Sequence, residues 1–323
     1  MTDLVPITPA VTGVEIALQE LEDEARGYVT ASRAPSTLRA YASDLRSFTR
    51  WCAAHGLNAV PAKPTTVALF ITDLAHTAKT ATIRRRMASI SIAHQAAGYP
   101  SPTSDILVRS TLSGINRTIG VAQKGKSALS TSDIRRMIAT LPDNLLGQRD
   151  ACLLLLGFAS ATRRSELVAL DVADVADTND GLVVTVRRSK TDQEGAGREI
   201  GIPYGANPAT CPVRAFRAWL EVSEITEGPL FRPINRHGQL GETRLSDQSV
   251  AAVVKRTAEA AGLDPKLVAG HSLRSGMATS AARAGATEVE IMNQTGHKSL
   301  PVLRRYVRRG SLFNGNAAGK LGL

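Results

Sequence analysis

The sequence predicts a mainly α-helical protein in two parts, the second holding one small antiparallel sheet. Three observations predict it. Apolar residues recur at helical spacing along most of the 323 residues. The stretch GVAQKGKSALSTSD, 120–133, mixes glycine, serine and lysine without any hydrophobic period, and reads as a linker. GLVVTVRRSKTDQEGAGREIGIP carries two strand-like runs around a polar, glycine-bearing turn, which is the pattern of a hairpin. The expected parts are 1–119, a linker at 120–133, and 134–323.

Taken in order, helices are expected at 12–31, 36–55, 64–77, 80–97 and 103–118. Ala34-Pro35-Ser36 makes the first break, with Ser36 as the N-cap of the apolar run 37–54. The second break, NAVPAKPTT at 58–66, contains two prolines. Beyond the linker, ATRRSELVALDVADV (161–175) reads as a helix whose apolar face is Leu167, Leu170 and Val175. The hairpin follows, with strands at 182–186 and 199–202. The chain then returns to helix through VAAVVKRTAEAAG, HSLRSGMATSAARAG, EVEIMNQTG and LPVLRRYVRR. There are no internal repeats.

Composition narrows the function. Hydrophobic residues at 43% and charged residues at 21% are ordinary for a globular protein, and no apolar run approaches membrane-spanning length. The acidic N-terminal segment lacks the basic region and apolar core of a secretory signal. Cys52, Cys152 and Cys211 stand far apart, which suits reduced structural thiols in a cytosol rather than a disulfide framework or zinc site. Charge points further. The chain carries a net +10, and residues 25–125 alone hold thirteen basic against three acidic residues, the same net charge. Such concentration is the footprint of a polyanion binder, with nucleic acid the commonest partner.

Several short motifs bear chemistry. Arg163 and Arg164 stand at a helix start, where the helix dipole is already positive, so a bound anion would resolve the conflict. Glu166 is placed to steady Arg163 from the same face; alone, the two are an ordinary surface pair. Lys190, in the hairpin turn, is either a solvated side chain or a mobile general acid. His271 and Arg274 share a face at the head of a helix rich in small residues (Gly276, Ala278, Ala281, Ala282). His297 follows in TGHKS, and Tyr306 lies nine residues later among Arg304, Arg305, Arg308 and Arg309. Each motif is weak singly. As an ordered set they match metal-free phosphoryl transfer: arginines for nonbridging oxygens, lysine for the leaving oxygen, histidine for a tyrosine proton, tyrosine as nucleophile. Metal hydrolysis fits poorly, because no carboxylate or cysteine ligand accompanies the two histidines in sequence.

With its order Arg…Lys…His-x-x-Arg…His…Tyr, the chain resembles the tyrosine site-specific recombinases, the lambda-integrase class. The resemblance covers nearly the whole chain. TLRAYASDLRSFTRWCAAHG, PAKP and TIRRRMASISIAHQAAGYPSP resemble the helical DNA-clamping domain of its Cre-type members, and AGHSLRSGMATSAARAGATEVEIMNQTGHKS their catalytic core. It implies the tyrosine recombinase fold: an N-terminal helical DNA-binding domain (1–119) and a C-terminal catalytic domain (134–323). It further implies that Arg163 and Arg274 bind the scissile phosphate, supported by Glu166. Lys190 becomes the general acid and His271 the proton-handling residue. His297 takes the histidine-or-tryptophan position, and Tyr306 is the nucleophile forming a 3′-phosphotyrosine. No cofactor is implied. Many members have Gly-Leu-Arg at the first arginine, whereas this chain has Ala161-Thr162-Arg163 followed by Arg164, which leaves Arg164 as the alternative.

The implied partner is double-stranded DNA with a specific recombination site, contacted by Arg39, Arg84, Arg85 and Arg86. The assembly would be a homotetramer on two sites and a monomer in free solution, with the tail 312–323 docking into a neighbouring protomer. A cytoplasmic, nucleoid-associated protein of bacterial or mobile-element origin is expected. Two other readings use the same features: a silent DNA-binding relative that keeps the fold, and a type IB topoisomerase or telomere resolvase.

Overall fold

The structure, a computed structural model, describes residues 13–121, 125–189, 192, 195–297, 299–310 and 321. The chain divides into two compact units, Met1–Lys124 and Gly125–Leu323. Among the described residues no helix is long and apolar enough to cross a membrane.

The first unit is helical: α1 (Gly13–Ala31), α2 (Pro35–Ala54), α3 (Pro64–Ala75), α4 (Thr80–Ala96) and α5 (Ile106–Ile119). Helix α2 starts two residues earlier than the Ser36 cap predicted. Proline takes the first helical position, where its missing N–H is harmless, and Ala34 precedes it without a side-chain cap. The core of this unit gathers Phe48 and Cys52 of α2, Phe70 and Ile71 of α3, Ile83 and Ile90 of α4 and Val108 of α5, all essentially inaccessible to water. Each such side chain contributes about 1.5–3 kcal/mol of burial.

In the second unit, part of the stretch expected as linker is built into the fold. Ser127 N–H donates to Leu267 O at 2.7 Å and Leu129 N–H to Ser272 O at 3.2 Å, with Leu129 buried. Ser130 and Asp133 then form a capping box that starts α6 (Thr131–Ala139). A lone buried leucine in a polar run leaves no period to detect. Helix α7 (Leu145–Ala159) is apolar on nearly every side and runs through the middle of the core.

The helix expected over 161–175 is shorter than predicted. Helix α8 (Arg164–Ala169) lasts six residues, and the chain passes through a tight turn into strand β1 (Val175–Thr178). Strand β2 (Gly181–Val186) and strand β3 (Arg198–Pro203) follow, giving an antiparallel sheet in the order β1-β2-β3. Register pairs Val175 with Val184, Leu182 with Ile202 and Val186 with Arg198. The hairpin of β2 and β3 is therefore present, with β1 added at its edge.

Helix α9 (Pro212–Ser223) packs on α7 and buries Trp219, whose Nε1 donates to Leu230 O at 2.9 Å. Helices α10 (Asp247–Ala260), α11 (His271–Arg283), α12 (Glu288–Thr295) and α13 (Leu300–Gly310) complete the unit. Small residues let α11 pack tightly. A Cβ on Gly276 would stand 2.1 Å from Leu129 O, so only glycine fits against that backbone.

Candidate active site

Four segments of the second unit converge: the α7–α8 turn, the head of α11, the turn after α12, and α13. In the first, Ala161 adopts a left-handed conformation (φ +51°) and is fully buried. This turns its carbonyl toward α11, where it accepts from Arg274 Nη1 at 2.6 Å. Arg163 precedes α8, and the conflict between its charge and the helix dipole is resolved internally. Glu166, in the first turn and 4% exposed, accepts from the Arg163 N–H at 3.0 Å and pairs with the Arg163 guanidinium. Arg164 turns elsewhere. Its guanidinium pairs with Asp247 at 3.0 Å, with both side chains partly exposed.

Helix α11 supplies His271 and Arg274, one turn apart. Arg274 is 1% exposed, yet keeps its charge at neutral pH: burial, with Arg163 adding, lowers its pKa to about 10. The second guanidinium nitrogen, Nη2, lies 3.3 Å from His297 Nε2. His297 follows Gly296, which ends α12 in the left-handed conformation (φ +64°).

Hydrogen bonds assign the His297 tautomer. Thr295 Oγ1 gives its proton to Ile291 O at 2.6 Å, so it accepts from His297 Nδ1–H at 2.7 Å. Nε2 is then a bare acceptor for Arg274. Burial, followed by Arg274 and Arg163, pulls the His297 pKa down to about 4 and keeps the ring neutral.

Tyr306 reaches the same place from α13. Its ring is half-buried beside a small cluster of Ala278, Ala282, Ile291 and Leu303. Its hydroxyl lies 2.9 Å from His271 Nε2, and its ring centroid is 5.8 Å from that of His297. His271 stands at the exposed mouth of the site, but partial desolvation, then Arg274 and Arg163, lowers its pKa. A neutral imidazole there can accept the phenolic proton.

The structure thus brings together Arg163, Glu166, His271, Arg274, His297 and Tyr306. Lys190 lies outside the described residues; it falls in sequence between Ser189 and Asp192, which exchange two backbone hydrogen bonds of 3.1 Å. Arg39, Arg84, Arg85 and Arg86 belong to the first unit. Arg39, Arg84 and Arg85 are exposed and Arg86 is half-buried; Arg85 and Arg86 face the buried Asp44 of α2 at 3.1 and 3.6 Å. One residue of the site escaped the sequence. Arg198, at the start of β3, stands 3.7 Å from Glu166 and donates to Gln294 O at 3.0 Å. A single arginine in GREIGIP gives no sign of this, because its partners lie more than thirty and ninety residues away.

Residues 127–311 match the phage integrase family, and residues 28–97 match the N-terminal SAM-like domain of phage integrases. An integrase/recombinase XerD homolog of Selenomonas ruminantium is 43% identical over 308 residues, covering 94% of this chain and 90% of its own. The chain belongs to the phage integrase family. By that membership it is a site-specific tyrosine recombinase, an enzyme that cleaves and rejoins DNA.

Cre of Escherichia phage P1 is 23% identical over 283 residues, 81% of each chain, so the XerD homolog shares more with this chain than the Cre-type pattern suggested. Among solved structures, the Tn1549 transposon integrase in complex with transposon right-end DNA has a TM-score of 0.63 at 14% identity, covering 87% of this chain and 92% of that one. XerH bound to its palindromic difH substrate has a TM-score of 0.60 at 17% identity, covering 80% of this chain and 71% of that one. These likenesses show the shared fold.

Proposed function

We propose that this recombinase cuts and rejoins duplex DNA at a specific site through a 3′-phosphotyrosine link formed by Tyr306, without metal, ATP or other cofactor. The observation that carries the reading is the 2.9 Å hydrogen bond between Tyr306 Oη and His271 Nε2, set beside two arginines. Tyr306 gives its proton to neutral His271 as its oxygen attacks phosphorus. The bond to the 5′ oxygen breaks, and Lys190, delivered by the hairpin, protonates that oxygen. Arg163 and Arg274 neutralise the nonbridging oxygens, where charge accumulates in the transition state. His297, a neutral acceptor, fixes the plane of the Arg274 guanidinium. The covalent link conserves the phosphodiester energy, so attack by a 5′ hydroxyl rejoins a strand.

The basic first unit supplies the remaining grip. Arg39, Arg84, Arg85 and Arg86 contact DNA, with phosphate contacts setting affinity and base-edge contacts setting the sequence read. The units correspond to a DNA-binding domain at 1–119 and a catalytic domain at 134–323. The working assembly is a homotetramer on two DNA sites, formed from free monomers through the tail 312–323; apart from Leu321, that tail lies outside the described residues. A cytoplasmic, nucleoid-associated location in a bacterium, or with a mobile element, suits such an activity. XerH and lambda integrase, structural neighbours, are themselves bound to DNA.

The test uses a site selected from a random DNA library and rebuilt as a nicked suicide substrate. The wild-type protein is expected to form a covalent adduct, and Tyr306→Phe to bind without forming one. An adduct with the Phe variant would remove Tyr306 from the role.

A further inference from the structure

Arg198 opens β3, the strand that follows in sequence the turn containing Lys190, and faces both Glu166 and the end of α12. Its Nη1 donates to Gln294 O at the end of α12, and its side chain lies across Gly296, where an added Cβ would come within 2.8 Å of its Nε. The other nitrogen, Nη2, is buried and makes no hydrogen bond with any described residue; the nearest anion is Glu166 Oε2, at 3.7 Å.

Glu166 is at present held by Arg163 on both oxygens, through the backbone N–H and the guanidinium. Under the phosphotyrosine reading, on which this inference rests, that guanidinium must turn to a phosphodiester oxygen. A carboxylate as buried as Glu166 would then keep one backbone N–H, and among the described residues Arg198 is the other arginine within ion-pair distance of it. An uncompensated buried carboxylate is strongly disfavoured, so without a second cation Glu166 would hold Arg163 back from the substrate. The unbonded Nη2 needs only a small shift to close on Oε2, the oxygen that also keeps the Arg163 N–H, and so to supply the charge that the departing guanidinium withdraws from Oε1.

We propose that Arg198 is a positioning residue: it takes over the charge of Glu166 and so releases the Arg163 guanidinium to the scissile phosphate. At the same time it ties the exit of the hairpin to the turn that carries His297. Its hydrogen bond and ion pair go to Gln294 and Glu166 rather than to Tyr306.

Five proteins test this: wild type, Arg198→Met, Arg198→Lys, Glu166→Gln and the double variant of Arg198→Met with Glu166→Gln. Each is read by single-turnover adduct formation at saturating protein and by urea unfolding without DNA. In the wild-type background Arg198→Met is expected to slow adduct formation by about tenfold or more, with single-site binding held within about twofold, as for a close charge pair losing one partner. In the Glu166→Gln background the same change should alter the rate by less than about threefold, because no charge remains to compensate. Arg198→Lys should recover most of the rate. Equal slowing in both backgrounds, or no recovery with lysine, overturns the proposal.

The unfolding data decide independently of DNA chemistry. The loss caused by Arg198→Met should shrink when Glu166 is neutralised, and additive losses contradict the pairing. A single variant that folds only when Glu166→Gln is added reports the same coupling, whereas failure in both backgrounds contradicts it. A wild-type protein that forms no adduct yet shows this coupling counts against the phosphotyrosine reading and leaves the Arg198–Glu166 pairing standing.

Discussion

Each unit of this chain has a buried carboxylate facing at least two arginines, Asp44 in the first and Glu166 in the second, and these two arrangements behave differently. In the first unit Asp44, 3% exposed on α2, faces Arg85 and Arg86 of α4. One of its oxygens, Oδ2, has no hydrogen-bond partner among the described residues, and burial raises its pKa despite both arginines. In the second unit Glu166, similarly buried, receives a backbone N–H as well as guanidinium groups, and its arginines stand beside two neutral histidines and a tyrosine hydroxyl. The first is a tie between two helices. In the proposed reading the second is a receptor, because its three arginines against one carboxylate leave positive charge for an incoming anion. Residue types alone do not separate the two; what else converges on them does.

The largest effect should come from the receptor. Arg274→Ala is expected to slow adduct formation by about 10²–10³-fold, the size of losing one oxyanion donor, while single-site binding falls far less. Arg163→Ala should behave alike, and Arg164→Ala should stay close to wild type, because the exposed Arg164 pairs with the half-buried Asp247. Equal losses of binding and cleavage for Arg274→Ala, or a larger defect for Arg164→Ala than for Arg163→Ala, would break the comparison.

The tie should respond through stability. Arg86→Met leaves Asp44 with one partner and is expected to cost about 1–3 kcal/mol in urea unfolding. Arg84→Ala, on the exposed side of the same helix, should leave stability within about 0.5 kcal/mol. It should instead lower the slope of log binding against log salt by about one. Arg84 and Arg86 thereby separate by their larger effect, on salt dependence for the first and on stability for the second.

Much of this architecture is written locally. The five helices of the first unit follow from apolar periodicity, as do α10 through α13. Strand β1 is hidden because Leu167, Leu170 and Val175 fit helical spacing across the turn, and because Ala176, Asp177 and Thr178 are all exposed and show no alternation. The ordered site residues are legible because each sits in a short motif with its own charge conflict. Arg198 is not, since its meaning comes wholly from Glu166 and Gln294, brought near by the sheet and by α12. Likewise the neutral state of His297 depends on Thr295 giving its proton to Ile291, which spacing alone does not reveal.

Acid should act on the two regions with opposite sign. His297 has a folded pKa of about 4 against an ordinary 6.5, so between those values the unfolded chain binds a proton that the folded chain refuses. Its contribution is therefore complete above pH 6.5 and lost as pH falls toward 4. Asp44, raised in the folded state, gains relative stability as pH falls through its own range. His297→Gln is expected to flatten the dependence of unfolding free energy on pH in the 4–6.5 window; an unchanged slope would show that this histidine titrates normally.

The smallest effect concerns the turn that aims the Ala161 carbonyl at Arg274. Ala161→Gly relieves the left-handed strain but adds unfolded-state entropy and removes a buried methyl group. Net stability is expected to change by less than about 1 kcal/mol, with adduct formation intact. A large loss would show that the methyl group, rather than the carbonyl, matters there.

In the proposed mechanism Tyr306 and the cluster around His271 and Arg274 form a phosphotyrosine site. Digesting the covalent protein–DNA adduct with nuclease and protease, then sequencing the modified peptide by mass spectrometry, tests it most directly. The chain has five tyrosines, Tyr28, Tyr41, Tyr99, Tyr204 and Tyr306. The account predicts a nucleotide 3′-phosphate on Tyr306 alone; a modification on any of the other four, or on a serine, would contradict it.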